Sequence, residues 1–114
     1  MTLFKNETRF KDRLKPIKFE ERLKDHIDKS KREIGVDFPF TRTLIQKHRG
    51  IGAAKTFLSM KNVFSEGFKR AMEKGGPSYT LESVILEHKD SGLFTDIEIE
   101  IAQWRLKNYE KAEG

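Results

Sequence analysis

The sequence contains no cysteine, and proline and histidine each occur only three times. The lack of cysteine excludes disulfide bonds and metal sites built on thiolate ligands. Long apolar runs are also missing: no segment approaches the roughly 20 apolar residues of a membrane span, and the first residues contain no apolar run of signal-peptide length. We therefore expect a cytoplasmic protein that does not contact a membrane.

The residue types that form catalytic and metal sites are present but dispersed. No two of His26, His48 and His88 lie three or four residues apart, so they form no helical metal-binding pair, and we expect them at the surface or at helix ends. No serine lies in a Gly-x-Ser-x-Gly turn, and Gly50 and Gly52 lack the spacing of a phosphate-binding loop. The sequence therefore predicts no catalytic residue, no metal and no cofactor, and an enzyme is the least favoured class of function.

Charge is abundant and unevenly distributed. Lysine and arginine number 23 against 18 aspartates and glutamates, a net charge of +5. Residues 1–18 carry a net charge of +4 and residues 38–76 of +6, whereas residues 77–114 carry −4. Such asymmetry can focus an electrostatic field that attracts phosphate or an acidic protein surface. The same pattern also arises when blocks of opposite charge face each other within one fold.

Apolar residues recur at helical spacing along most of the chain, which predicts an all-α fold. We expect a single compact bundle of five or six short helices over residues 18–114. A basic N-terminal arm at residues 1–17 precedes it, because Pro16 disfavours a helical conformation of the residue before it. The predicted helices cover approximately residues 18–34, 39–49, 51–59, 65–74, 80–89 and 95–110.

The last predicted helix has the clearest start and an unusual distribution of apolar residues. Thr95 and Glu98 have the spacing of a capping box, in which each side chain accepts a hydrogen bond from the other residue's backbone. A helix that is apolar on two sides is either central in a bundle or shared with a partner. The two stripes are Ile97, Ile101 and Trp104 on one side, and Ile99, Ala102, Leu106 and Tyr109 on the other.

The basic middle of the chain gives the leading functional prediction, a non-enzymatic module that contacts nucleic-acid phosphates. Two short helices joined at Gly50 are compatible with a helix-turn-helix unit, and equally with any helical hairpin. Basic arms supplement such units in some DNA-binding proteins. The predicted phosphate contacts are Arg42, Lys47, Arg49, Lys55, Lys69 and Arg70 in the bundle, with Lys11, Arg13 and Lys15 on the arm.

The alternative prediction is a small protein-binding adaptor or inhibitor of phage or mobile-element type. It would use the second apolar stripe of the last helix, in particular Ile99, Leu106 and Tyr109, to contact a protein partner or a second copy of the chain.

Three segments carry a resemblance: FTRTLIQKHRGIGAAKTFL, SEGFKRAMEKGGPSYTLESVIL and LFTDIEIEIAQWRLKNY. Together they resemble a widespread family of short, uncharacterised bacterial helical domains. The resemblance covers about residues 19–109, excludes the arm, and implies an intact single domain of bacterial or phage type without transferring an activity. The residues that carry it include Thr41, Arg42, Gly50, Ala53, Ala54, Ser65, Gly67, Phe68, Leu81, Glu82, Leu86, Leu93, Phe94, Thr95, Ala102, Arg105, Leu106 and Tyr109.

This chain departs from that family at Gly75, Gly76 and Pro77, where the family is less rich in glycine. We interpret Arg42 as a residue that pairs with a carboxylate, and Gly67 as one that permits close packing.

Overall fold

The computed structural model describes residues 2–60 and 64–113, and side chains within residues 12–60 and 64–109. Over this part of the chain every regular element is helical, which confirms the all-α prediction, and no helix there is both long and apolar enough to cross a membrane. The helices are α1 (Thr2–Ile34), α2 (Pro39–Leu58), α3 (Glu66–Lys74), α4 (Leu81–Glu87) and α5 (Asp96–Glu113), with a 3₁₀ turn at Pro77–Tyr79.

α1 is longer than the sequence predicted. It begins at Thr2 instead of residue 18 and contains Pro16 in its interior, so the predicted helix boundary at this proline is wrong. Proline lacks the N–H that would donate to the carbonyl four residues earlier, here that of Asp12. Both Asp12 and Pro16 are exposed, so water can solvate the carbonyl that is left without a partner, and the helix continues.

α2 is divided at Arg49, which agrees with the separate helices predicted over residues 39–49 and 51–59. Arg49 has φ 63° and ψ 177°, a backbone conformation that residues with a Cβ atom rarely adopt. At the adjacent Gly50, a Cβ atom would lie 2.7 Å from the Cα atom of Glu20 in α1. The two helices therefore touch at this break, at a separation that only glycine permits.

Side chains satisfy the first backbone N–H groups of the last three helices. Ser65 and Thr80 each accept a hydrogen bond from the backbone N–H three residues further on. At the start of α5, the Thr95 N–H donates to Glu98 Oε1 at 2.8 Å, and the Glu98 N–H donates to Thr95 Oγ1 at 3.2 Å. The capping box predicted from the sequence is therefore confirmed.

A single hydrophobic core joins the helices. α1 packs most extensively against α2, and α4 against α5. The α1 stripe of Phe19, Leu23 and Ile27 is fully buried. The other buried apolar residues of the core include Val36, Phe38, Leu44, Ile45, Ala53, Ala54, Phe57, Leu58, Ala71, Leu81, Val84, Ile85, Phe94 and Ala102.

His26 departs from the expectation of a histidine at the surface or at a helix end. It lies inside α1, beside the buried stripe, and is 3% exposed. By distance and angle neither ring nitrogen completes a hydrogen bond with a described group, although the backbone of Tyr79 and Thr80 lies close enough to the ring to act on its pKa. Burial lowers the pKa of His26 below its usual value, because a charged ring would lose its hydration there. His48 is exposed and His88 follows the last residue of α4, as expected.

Candidate functional site

The basic residues predicted to contact phosphate do not form one unpaired surface. Arg42 is held by two carboxylates: its Nε donates to Asp37 at 2.8 Å, and a terminal nitrogen donates to Asp28 at 2.8 Å. The hydrogen bond to Asp37 is the main reason why the pKa of Arg42 is raised. Arg42 thus pairs with carboxylates, as we inferred from the sequence, and links the start of α2 to α1.

Arg49 takes part in a second ion pair with α1. One terminal nitrogen donates to Glu20 Oε2 at 2.9 Å, although 77% of the Arg49 side chain is exposed. The other carboxylate oxygen of Glu20 accepts the backbone N–H of Gly50 at 2.7 Å. This N–H lies at the start of the second half of α2. The negative charge of the buried Glu20 carboxylate therefore interacts favourably with the positive N-terminal end of that half-helix.

Lys55, near the end of α2, is paired with a carboxylate in the first turn of α5. Its ammonium lies 2.7 Å from Glu98 Oε1, the oxygen that completes the α5 capping box, and 5.5 Å from the centre of the Phe94 ring. Three of the six cations predicted in the bundle are therefore engaged with carboxylates of other segments.

The remaining predicted cations are exposed. Within the described residues, Lys47, Lys69 and Arg70 form no ion pair and lie at the surface of α2 and α3. On α1, Arg13 is exposed, whereas Lys15 lies 3.7 Å from Asp12 and donates to the Ser91 carbonyl at 3.2 Å. The predicted contact at Lys11 falls on a side chain outside the described set.

The apolar stripe of α5 that we predicted to contact a partner lies mainly against the core. Tyr109 is 5% exposed, Ile99 packs on the core, and Leu106 is half-buried. The other stripe carries the exposed apolar side chains of this helix, with Ile97 at 69% and Trp104 at 51%. The exposed apolar side chains of α5 thus belong to the stripe of Ile97 and Trp104, whose third member, Ile101, packs on the core.

A cleft of about 390 Å³ lies where the two ends of α2 approach the start of α3. Its lining includes the buried residues Phe38, Phe57 and Leu81. Phe40 and Met60 also line it and are 56% and 38% exposed. A volume of this size is within the range of sites that hold small ligands or a few side chains.

Glycine and charged residues complete the cleft. A Cβ atom on Gly67 would lie 2.7 Å from the ring of Phe38, the residue that precedes α2, so this glycine permits close packing, as predicted. Arg70 lines the cleft together with Asp37, Glu66 and Arg105.

Arg105 connects the cleft with the core. It is 4% exposed and donates to the Phe57 and Leu58 carbonyls at 3.2–3.3 Å, and to Glu82 Oε2 at 3.3 Å. It therefore satisfies the last carbonyls of α2 while pairing with a carboxylate in the first turn of α4. Burial raises the pKa of Glu82 to about 7 even beside this guanidinium, because removal from water disfavours the charged form.

Sequence reasoning missed the cleft and the role of Arg105. One available signal was the position of Phe40 at the edge of a helix face. The buried face of α2 is centred on Thr41, Leu44 and Ile45, and residue 40 lies about 100° around the helix from residue 41. The Arg105–Glu82 pair links residues 23 positions apart, and helical periodicity does not predict such a contact.

Within residues 12–60 and 64–109, no three histidine or acidic side chains are grouped so that they could hold a metal ion. Comparisons with protein-family models, with curated proteins and with solved structures find no match.

Proposed function

We propose that this chain is a non-enzymatic protein-binding module whose cleft between α2 and α3 receives an apolar side chain of a partner protein. The observation that carries the proposal is the exposure of Phe40 and Met60 beside an inner wall of buried apolar residues. A concave site lined mainly by apolar side chains, with a few polar groups among them, is the usual form of a binding site.

The lining provides both adaptability and binding energy. Methionine at position 60 can adjust its shape, since its unbranched side chain has three rotatable bonds. Transfer of one partner side chain such as leucine or phenylalanine from water into the cleft contributes roughly 1.5–3 kcal/mol. That contribution suits a short peptide segment bound with modest affinity, because ordering the segment opposes part of it.

The test is a selection from a library of random 12-residue peptides displayed on phage, with the full chain as the immobilised target. We expect the enriched peptides to share a large apolar residue and to lose binding to Phe40→Ser. Ile97→Ser is the matched control, because Ile97 is also an exposed large apolar residue but lies on α5, outside the cleft. Enriched peptides that bind Phe40→Ser and the original chain equally would refute the proposal.

Nucleic-acid binding is a second candidate, favoured by the exposed and unpaired state of Lys47, Lys69 and Arg70 among the described residues. Arg42, Arg49 and Lys55 contribute less to it, because each is already paired with a carboxylate. If three phosphates are contacted, the logarithm of the binding constant should fall with the logarithm of salt concentration at a slope of about −2.7. Fluorescence anisotropy with a labelled duplex at 50 and 200 mM salt measures this slope, and a lack of binding at the lower concentration would eliminate this candidate.

A further inference from the structure

We propose that the partner segment is acidic, with a carboxylate beside the apolar side chain that enters the cleft. This inference rests on the proposed function, since it names the chemistry of the occupant of the same cleft. It follows from the charge of the segment that supplies most of the cleft lining, and from which charges of the lining itself are already compensated.

The chain segment that supplies most of the cleft lining is strongly basic. Residues 38–76 contain eight lysines and arginines and two glutamates, a net charge of +6. The three paired cations of this segment, Arg42, Arg49 and Lys55, have carboxylate partners that lie outside it. Lys47, Lys69 and Arg70 are left without an ion pair among the described residues.

Within the cleft lining, the charges of both carboxylates, Asp37 and Glu66, are already compensated. Asp37 is occupied by Arg42 at 2.8 Å and by the Phe38 N–H at 2.8 Å. Glu66 lies in the first turn of α3, where the positive end of the helix offsets its charge. Arg70 is exposed and lines the cleft, so its guanidinium is the group most available to an incoming carboxylate. Arginine suits this contact, because its planar fork can donate two parallel hydrogen bonds to one carboxylate.

A second arginine of the lining, Arg105, is buried. Every hydrogen bond of Arg105 given above is 3.2–3.3 Å long, whereas charge-assisted bonds to a carboxylate are usually about 2.7–2.9 Å. Both terminal nitrogens are nevertheless engaged, with the Phe57 and Leu58 carbonyls and with Glu82, so Arg105 acts on the cleft through its charge and not as a free hydrogen-bond donor. The positive potential of Arg105 adds to that of Arg70 and further favours a negatively charged occupant.

The experiment uses a fluorescein-labelled peptide from the selection and a second peptide in which every Asp and Glu is replaced by Asn and Gln. Each is titrated with the full chain, with Arg70→Gln and with the control Lys107→Gln, which changes an exposed lysine on α5 outside the cleft. We expect the amide peptide to bind the full chain about tenfold more weakly, as for loss of a charge-assisted hydrogen bond. Arg70→Gln should weaken the acidic peptide by a similar factor, leave the amide peptide unchanged and differ from Lys107→Gln.

The outcomes separate the two proposals. Equal affinity for the acidic and amide peptides, with both lost in Phe40→Ser, would overturn the acidic occupant and leave the apolar cleft in place. Selected peptides that bind independently of Phe40 would refute the proposed function itself. A duplex DNA that displaces the acidic peptide at low salt and is weakened by Arg70→Gln would assign this surface to nucleic acid and overturn the inference.

Discussion

At the break in α2 we expect glycine to stabilise the fold relative to alanine, the reverse of their order within a regular helix. Arg49 has φ 63° and ψ 177°, and a residue with a Cβ atom held in this region costs on the order of 1–3 kcal/mol. Arg49→Gly removes that cost, whereas Arg49→Ala keeps it. Both variants lose the ion pair with Glu20 equally, so the comparison between them isolates the backbone.

Within a regular helix, glycine is less stable than alanine by roughly 0.5–1 kcal/mol. At position 49 we expect the opposite: Arg49→Gly should have a free energy of unfolding about 1 kcal/mol higher than that of Arg49→Ala. The difference corresponds to roughly 4 °C in melting temperature for a domain of this size. Urea titration followed by far-ultraviolet circular dichroism measures it. If Arg49→Gly is the less stable of the two, Arg49 is not strained and our reading of the break is incorrect.

Three further predictions concern the buried contacts of α1, α2 and α4. Gly50→Ala should lower the free energy of unfolding by about 1–3 kcal/mol, since its Cβ atom would lie 2.7 Å from the Cα atom of Glu20; an unchanged urea midpoint would show that α1 can shift without cost. The pKa of Glu82 is raised to about 7, so its protonation stabilises the fold below its unfolded pKa of about 4.5, and that stabilisation is lost as pH rises through 7. The stability of the original chain relative to Glu82→Gln should therefore increase by on the order of 3 kcal/mol between pH 7.5 and 4.5, and a constant difference would contradict the assignment. The pKa of His26 is lowered by burial, so the unfolded chain binds its proton first and stability is lost as pH falls below about 6.5. His26→Leu should remove this loss in urea titrations at pH 7 and 5, and a loss of equal size in both proteins would refute it.

Local signals in the sequence predicted the order of the helices and most of their ends. The capping box at Thr95 and the break beside Gly50 depend on residues within a few positions of each other, so one sequence suffices to find them. Pro16 is a weak boundary signal because the cost of an interior proline depends on exposure: Asp12 and Pro16 are both exposed, so water can solvate the carbonyl that is left without a donor, and the helix extends to Thr2.

The site was less predictable because it depends on contacts between distant segments. Charge alone does not indicate that Lys55 pairs with Glu98, 43 positions further along the chain, so the basic surface seemed larger than it is. For α5, both stripes contain large apolar residues, and only the positions of Phe64 and of Phe68 in α3, whose ring centres lie 5.2 and 5.4 Å from that of Tyr109, decide that Tyr109 is buried while Trp104 stays half-exposed.

The contact between Glu20 and the break in α2 also constrains which substitutions this chain can accept during evolution. A shorter residue at position 20 would leave the Gly50 N–H without its acceptor and Arg49 without its ion pair. A larger residue at position 50 would push α1 away. We therefore expect positions 20, 49 and 50 to vary together among related sequences, with glycine appearing at position 49 wherever the carboxylate at position 20 is lost.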